Sequence, residues 1–309
     1  MGNKKRSPVL DYTVYLVVRC VACVIQMLSW ESARAVAGWL SWLIYLVNKR
    51  HRNVARENLR QAFPNRWSDK ELDVVVRQVY FHFCNLLMEI CLVPRKLRVY
   101  NHDRYLTLIN DRLMVKHLIS DKPLLIVTLH LGNWELAGYH LGLCGIDTYA
   151  IARTLDNPYL EEYLRKFREN TGQKILAKKG DFDNITQVLA DGGKMATLGD
   201  QDAGKRGVFV DFFGRPASTH KAVALMAIEY DVPLFVSGTV KTGEPLQYQI
   251  ILEEAIYPAD YADSPNAIKE ITQRFTAAME RLVRRAPEQY FWLHNRWKSQ
   301  PAKSRKKAA

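Results

Sequence analysis

His130 and Glu135 stand five residues apart in TLHLGNWELAGYH, residues 128–140. The histidine closes an apolar run, Leu124 to Leu129; Gly132 and Asn133 follow, and Trp134 and Glu135 open a helix-like stretch. A histidine needs only a modest pKa shift to act as a base near neutral pH. A carboxylate bonded to one ring nitrogen fixes the tautomer and stabilises the imidazolium, leaving the other nitrogen to take a proton from a hydroxyl. This is the base half of a triad whose nucleophile arrives with the substrate. On one continuous helix the two side chains would point about 140° apart. The Gly132–Asn133 break removes that objection by leaving His130 on a strand and Glu135 in the first helical turn. The helix N-terminus also offers amide donors to a developing negative oxygen. A glutamate there also compensates the helix dipole without any chemistry. No metal site is read here, because no second histidine stands at ligand spacing on the same element, although His140 is near.

The elements that must hold this pair follow from periodicity. Residues 53–63 and 68–92 read as helices separated by Pro64, the second opened by the Ser68–Glu71 capping box and closed at Pro94. From residue 123 strand-like and helix-like runs alternate. Leu124–Leu129 precedes a helix from Trp134. Thr148–Ala152 precedes a helix from Pro158 to Asn170 capped by Asn157. Lys174–Ala177 precedes 182–191, and Lys194–Leu198 leads into a polar loop. Beyond it come the strand-like GVFVDFF, a helix near 219–230, strands at 233–240 and 247–256, and an amphipathic helix over 264–285. This order implies an α/β fold with a mostly parallel sheet flanked by helices. Reactive groups in such sheets gather at the carboxyl ends of strands. His130, Asp200 with Gln201, and Arg153 follow three different strands and meet there.

The 309 residues carry a formal charge of +12, which suits nucleic acid, an anionic membrane surface or an acidic protein. Five scattered cysteines do not make a disulfide framework, and the Cys20/Cys23 C-x-x-C lies in an apolar helical run as ordinary apolar side chains. Residues 12–30 and 33–47 are rich in Val, Leu, Ile and Trp and are bracketed by Lys4, Lys5, Arg6 and by Lys49, Arg50, Arg52, Arg56 and Arg60. Trp30, Trp39 and Trp42 suit a headgroup interface. Residues 1–50 therefore read as an interfacial apolar helical hairpin entering and leaving on the cytoplasmic face, with a single membrane span, or a buried core hairpin, as the alternatives. Residues 51–298 form the catalytic domain and 299–309 a basic tail. Arg296, Lys298, Lys303, Arg305, Lys306 and Lys307 suit anchoring to anionic lipid.

HLGNWELAG after an apolar strand resembles the bacterial lipid A secondary acyltransferases, the lauroyl- and myristoyl-transferring enzymes, with the mycobacterial phosphatidylinositol mannoside acyltransferases as relatives. Three further blocks agree in order and spacing: ARTLDNPYLEEYLRKFRENTG, GDQDAGKRGVFVDFFGRPAST and PEQYFWLHNRWK. The resemblance runs from roughly the first helix to residue 298. It implies a glycerolipid acyltransferase-like fold, His130 as base with Glu135 as its charge-relay partner, and acyl transfer from a carrier thioester to a hydroxyl of a membrane lipid. The donor would be acyl carrier protein or coenzyme A, the acceptor a lipid A precursor, and the location the cytoplasmic face of the bacterial inner membrane. An activated thioester requires no enzyme nucleophile, metal or cofactor.

Around this pair, Arg153 and Arg168 are candidate clamps for phosphate or carboxylate. Arg168 also reads as a solvated helix face. Asp200 and Gln201 would orient the acceptor, Arg215 would contact phosphate or an oxyanion, and Asn133 would cap the helix or touch substrate. Trp134, Phe212, Phe213, Tyr290, Phe291 and Trp292 are candidates to line an acyl tunnel. Competing readings are a thioester-hydrolysing or lipid-binding relative, a glycolipid acyltransferase with another acceptor, and a nucleic-acid-binding protein. For the last the chain offers basic ends but no reading module.

Overall fold

The computed structural model describes residues 7–152, 154–177 and 182–301. Four helices come first: α1 (Pro8–Gln26), α2 (Trp30–Val47), α3 (Lys49–Ala62) and α4 (Asp69–Lys96). The alternating part follows as β1 (Leu106–Ile109), α5 (Asp111–Leu118), β2 (Leu124–Thr128), α6 (Trp134–Leu143), β3 (Thr148–Ala152), α7 (Pro158–Glu169), β4 (Gln173–Ala177), α8 (Phe182–Ala190) and β5 (Lys194–Leu198). The chain closes with β6 (Val208–Phe212), β7 (Arg215–Thr219), α9 (Ala222–Glu229), β8 (Leu234–Gly243), β9 (Gln247–Ile256) and α10 (Ala267–Arg285).

Seven strands form one sheet in the order β1-β9-β8-β2-β5-β3-β4, and β6 pairs with β7 apart from it. Every pairing in the large sheet is parallel except β8 with β9. The mostly parallel α/β expectation holds, with β9 and β1 reversed at one side. β2 lies between β5 and β8, and its Leu-Leu-Ile-Val run is buried on both faces, as a central parallel strand requires. Leu125 and Val127 share a cluster with Phe275, Met279 and Leu282 of α10. Leu124 and Ile126 point the other way, into a cluster with Met114 and Leu118 of α5. The buried positions of α10, among them Ile271, Phe275, Ala278, Met279 and Leu282, recur at helical spacing.

Ser68 and Glu71 form the expected capping box, and Asn157 caps α7 through its side chain. Pro94 does not end α4, which runs to Lys96 with Leu97 N–H donating to Val93 O at 2.9 Å. A proline in the last turn forgoes one hydrogen bond with little helix left beyond it. The helix expected near 219–230 is present as α9, and the strand missing from the sequence reading is β7 just before it, whose Arg215 to Thr219 pairs with β6. β1 and α5 have no counterpart in the periodicity reading. α5 has only eight residues, and Thr107 interrupts the apolar run of β1.

Both N-terminal helices lie on α4 rather than forming an isolated pair. α1 also docks on α7. Tyr12 and Tyr15 meet Tyr159, Asn157 donates to Asp11 O at 2.9 Å, and the Arg19 guanidinium sits 4.6 Å over the Tyr163 ring. The rest of α1 is apolar and exposed: Val9, Leu10, Val17, Val21 and Val24 face outward, as do Trp39, Trp42 and Val47 of α2. α1 is long and apolar enough to cross a membrane; α4 passes the same test of length and composition but is mostly buried.

Candidate active site

His130 lies two residues past the end of β2, and Asp200 two residues past the end of β5. The two strands pair in parallel with Thr128 opposite Leu198, and Gly199 N–H donates to Thr128 O, so the register carries His130 to Asp200. His130 Nδ1 is 2.7 Å from Asp200 Oδ1, and the His130 backbone N–H donates to Oδ2 at 2.9 Å. Both carboxylate oxygens therefore bond the same residue. Nδ1 carries the shared proton and Nε2 is the basic nitrogen. The amide of Gln201 lies 3.5 Å from Nε2, and Trp134 and Phe291 flank the ring with centroids at 4.8 and 5.8 Å.

Glu135 is not the hydrogen-bond partner of His130. It takes a bidentate ion pair from Arg168 of α7, Nε to Oε2 at 2.9 Å and Nη2 to Oε1 at 2.6 Å. Fork-on-fork pairing fixes both planes and leaves Glu135 as a nearby charge. Burial disfavours charging His130, but the Asp200 carboxylate, through its charge and its hydrogen bond, and Glu135 beyond it outweigh burial. The imidazole is held above its ordinary value of 6.5. Burial likewise disfavours a charged Asp200. The attraction of His130, two hydrogen bonds and the Arg296 guanidinium prevail and hold it below 3.8.

The seam that presents His130 has a fixed shape. Gly132 has φ +58°, and a Cβ there would lie 2.2 Å from Thr239 O. Only glycine fits both the left-handed backbone and that approach. Asn133 is fully buried and caps α6 by accepting from Leu136 N–H at 3.1 Å; its amide donates to Glu89. Asn133 is thus a helix cap shut away from the surface. Glu89 of α4 is 2% exposed and accepts from Asn85, Asn133, Lys241 and Tyr248. This knot ties α4, α6, β8 and β9 together beneath the site. The sequence reading missed Glu89 because it lies in an ordinary helical run, without a motif.

The 287–298 block closes the other side. Leu131 bridges Tyr290, Phe291 N–H donates to His130 O, and Gly132 N–H donates to Gln289 O. Asn58 of α3 donates to Trp292 O and His294 O. Arg296, expected in a lipid-facing tail, is 2% exposed and donates to Ser218 O and Thr219 Oγ1. It stays inside because its charge has those acceptors and the field of Asp200. Lys303, Arg305, Lys306 and Lys307 lie outside the described residues, as does Arg153. Arg215 stands exposed on the β6–β7 hairpin, which pairs apart from the large sheet, and it does not line the cavity described next.

Beside the seam, a cavity of about 100 Å³ runs between α6, α7 and strands β2, β3 and β5. Its wall is mainly Ile126, Ala137, Leu141, Ala150, Ile151 and Ala196, with Glu135 and Arg168 as its charged pair. Trp134 lines it and also touches His130, joining ring to cavity. Of the six aromatics expected to line a tunnel, only Trp134 lines this cavity. Phe291 flanks His130, and Phe212, Phe213, Tyr290 and Trp292 pack on one another in the core. The cavity is made by small residues, which leave space where aromatics would fill it.

Residues 1–299 match the bacterial lipid A biosynthesis acyltransferase family, and the chain belongs to that family. It is similar to the lipid A biosynthesis palmitoleoyltransferase of Escherichia coli K12, 24% identical over 262 residues covering 82% of this chain and 80% of the relative. It is similar to the same organism's lipid A biosynthesis lauroyltransferase, at 25% over 263 residues (82% and 81%). A phosphatidylinositol mannoside acyltransferase of Mycobacterium tuberculosis is 24% identical over 181 residues, 57% of this chain and 55% of the relative. The protein is an acyltransferase that acts on a lipid.

Proposed function

We propose that the protein transfers a fatty acyl chain from acyl carrier protein to a hydroxyl of a lipid A precursor at the cytoplasmic face of the inner membrane, using His130 as general base and Asp200 to orient it. The observation that carries this reading is the imidazole whose Nδ1 is held by a buried carboxylate while Nε2 stands beside Trp134 and an apolar cavity. Nε2 takes the hydroxyl proton as the oxygen attacks the thioester carbonyl carbon. Collapse of the tetrahedral intermediate breaks the C–S bond, and the imidazolium returns the proton to the leaving thiolate, giving an ester and a free thiol. The N-terminal end of α6 faces the developing oxyanion with its positive dipole. The acyl chain occupies the cavity between α6 and the sheet, and no enzyme nucleophile, metal or cofactor enters the reaction. The charge of +12 suits both an acidic carrier protein and anionic lipid. The outward apolar faces of α1 and α2 rest in the membrane surface.

The mannoside acyltransferase relative keeps a glycolipid acceptor as the second reading. Isotope-labelled acyl carrier protein, with lipid A precursor, phosphatidylinositol mannoside or no acceptor, separates the readings by mass spectrometry. An acylated lipid A precursor is expected, with turnover reduced about 10²–10⁴-fold in a folded His130→Ala protein. Label appearing only as free fatty acid, or unimpaired transfer by His130→Ala, overturns the proposal.

A further inference from the structure

The far end of α6 brings together a second group of reactive side chains. His140 and Cys144 are separated by one helical turn, and His102 approaches them from the turn His102–Arg104. One ligand atom from each lies within 4.8 Å of the other two. The two imidazole rings meet edge to face with centroids 4.9 Å apart, and Cys144 Sγ is 3.7 Å from His140 Nε2. His140 is 96% buried by its 4% exposure, yet its Nδ1 has no hydrogen-bond partner, and neither has the buried Nδ1 of His102. Buried polar atoms without partners are rare and call for an explanation.

We propose that His102, His140 and Cys144 form a divalent transition-metal site, with zinc the best-fitting ion and water in the fourth position. The donor set is two imidazoles and a thiolate, which suits zinc and neighbouring borderline metals rather than magnesium or calcium. Tetrahedral zinc with bonds of about 2.0–2.3 Å needs ligand atoms roughly 3.3–3.8 Å apart, so the widest pair must close by about 1 Å, within reach of side-chain rotation. Binding forms one sulfur–metal and two nitrogen–metal bonds and releases the Cys144 thiol proton to solvent. Cys144 is exposed, which gives the ion an entry path. The site lies at the opposite end of α6 from the catalytic seam, with Cys144 about 15 Å along the axis from Trp134. It would clamp the C-terminal end of that helix to the 102–104 turn without touching the reacting atoms. The sequence alone hides it, because the second histidine comes from another element.

Cobalt(II) added to the metal-free, full-length protein tests the site. A thiolate-to-cobalt absorption saturating at one equivalent is expected, competed away by zinc. Cys144→Ser should abolish it, and His102→Asn should weaken cobalt binding about 100-fold or more, with acyl transfer retained in both. Zinc should also protect Cys144 of the unmutated protein from alkylation, read peptide by peptide, while Cys20 and Cys23 stay reactive. Absence of the band in the unmutated protein overturns the proposal. So does a band unchanged in Cys144→Ser, which would place the metal at Cys20 and Cys23.

Discussion

Two carboxylates flank His130, and the structure gives them different work. Asp200 comes from the edge of the sheet, is 3% exposed and bonds His130 with both oxygens. Glu135 comes from the helix seam, lines the cavity and spends both oxygens on Arg168. A strand end is fixed by the ladder behind it, so the Asp200 contact inherits the rigidity of the β2–β5 register. The Glu135–Arg168 pair joins two helices that also meet through the stacked Tyr139 and Phe167 rings, and it is partly open to water. On the proposed mechanism, the difference separates alignment of the base from shaping of the cavity: the sheet edge does the first and the helix pair the second.

The largest test of this contrast is Asp200→Asn. It removes the charge that stabilises the imidazolium and upsets the tautomer, so kcat should fall about 10²–10⁴-fold with the fold intact by circular dichroism. Glu135→Gln should cost at least about tenfold less and should show mainly in the KM for the acyl donor, since Arg168 would lose its clamp at the cavity wall. Equal losses in the two variants would erase the distinction. Next is Glu89→Gln. One amide cannot accept from the same donors, and the buried Lys241 loses a charged partner, so stability should fall by about 3 kcal/mol in chemical denaturation. A change under about 0.5 kcal/mol would mean the knot beneath the seam is not holding it.

Gly138→Ala probes the helix side more gently. A Cβ there would lie 2.1 Å from Gln173 Nε2, the end of a side chain that also lines the cavity. Gln173 must shift, at about 1–3 kcal/mol, and the preferred acyl chain should become shorter. Unchanged chain-length preference in an acyl-chain competition assay would remove α6 as a wall of the acyl site. The smallest effect is pH-dependent stability. His130 is raised above 6.5, so its pairing with Asp200 contributes fully below pH 6.5 and is lost as pH climbs through its folded value. Asp200 is lowered, so its share is present above pH 3.8 and lost as pH falls through its folded value. The Tm gap between the unmutated protein and Asp200→Asn should therefore be wider at pH 6 than at pH 9. A gap that widens toward pH 9 contradicts the pairing.

Much of this architecture was legible because the elements are locally encoded. Thr148–Ala152 and Lys194–Leu198 are strands over the residues their patterns indicate, and Ser68, Asn133 and Asn157 cap as their types suggest. His130, Asp200 and Gln201 could be placed at one sheet edge by the rule that loops after parallel strands converge. Which carboxylate meets the imidazole was not legible. Glu135 is five residues away and Asp200 is 70, and a register between strands so far apart leaves no local mark. Arg168 could be read as a surface charge because its partner lies on another helix. Arg296 looked like part of a basic tail because burial of an arginine depends on carbonyls supplied by β7.

The most direct measurement is the pH dependence of kcat/KM for the unmutated protein, Asp200→Asn and Glu135→Gln. Activity should rise with pH through a limb above 6.5, where His130 loses its proton; the limb should move to lower pH in Asp200→Asn and only slightly in Glu135→Gln. A limb that stays in place in Asp200→Asn and shifts in Glu135→Gln would contradict the assignment of Asp200 as the residue that holds the base.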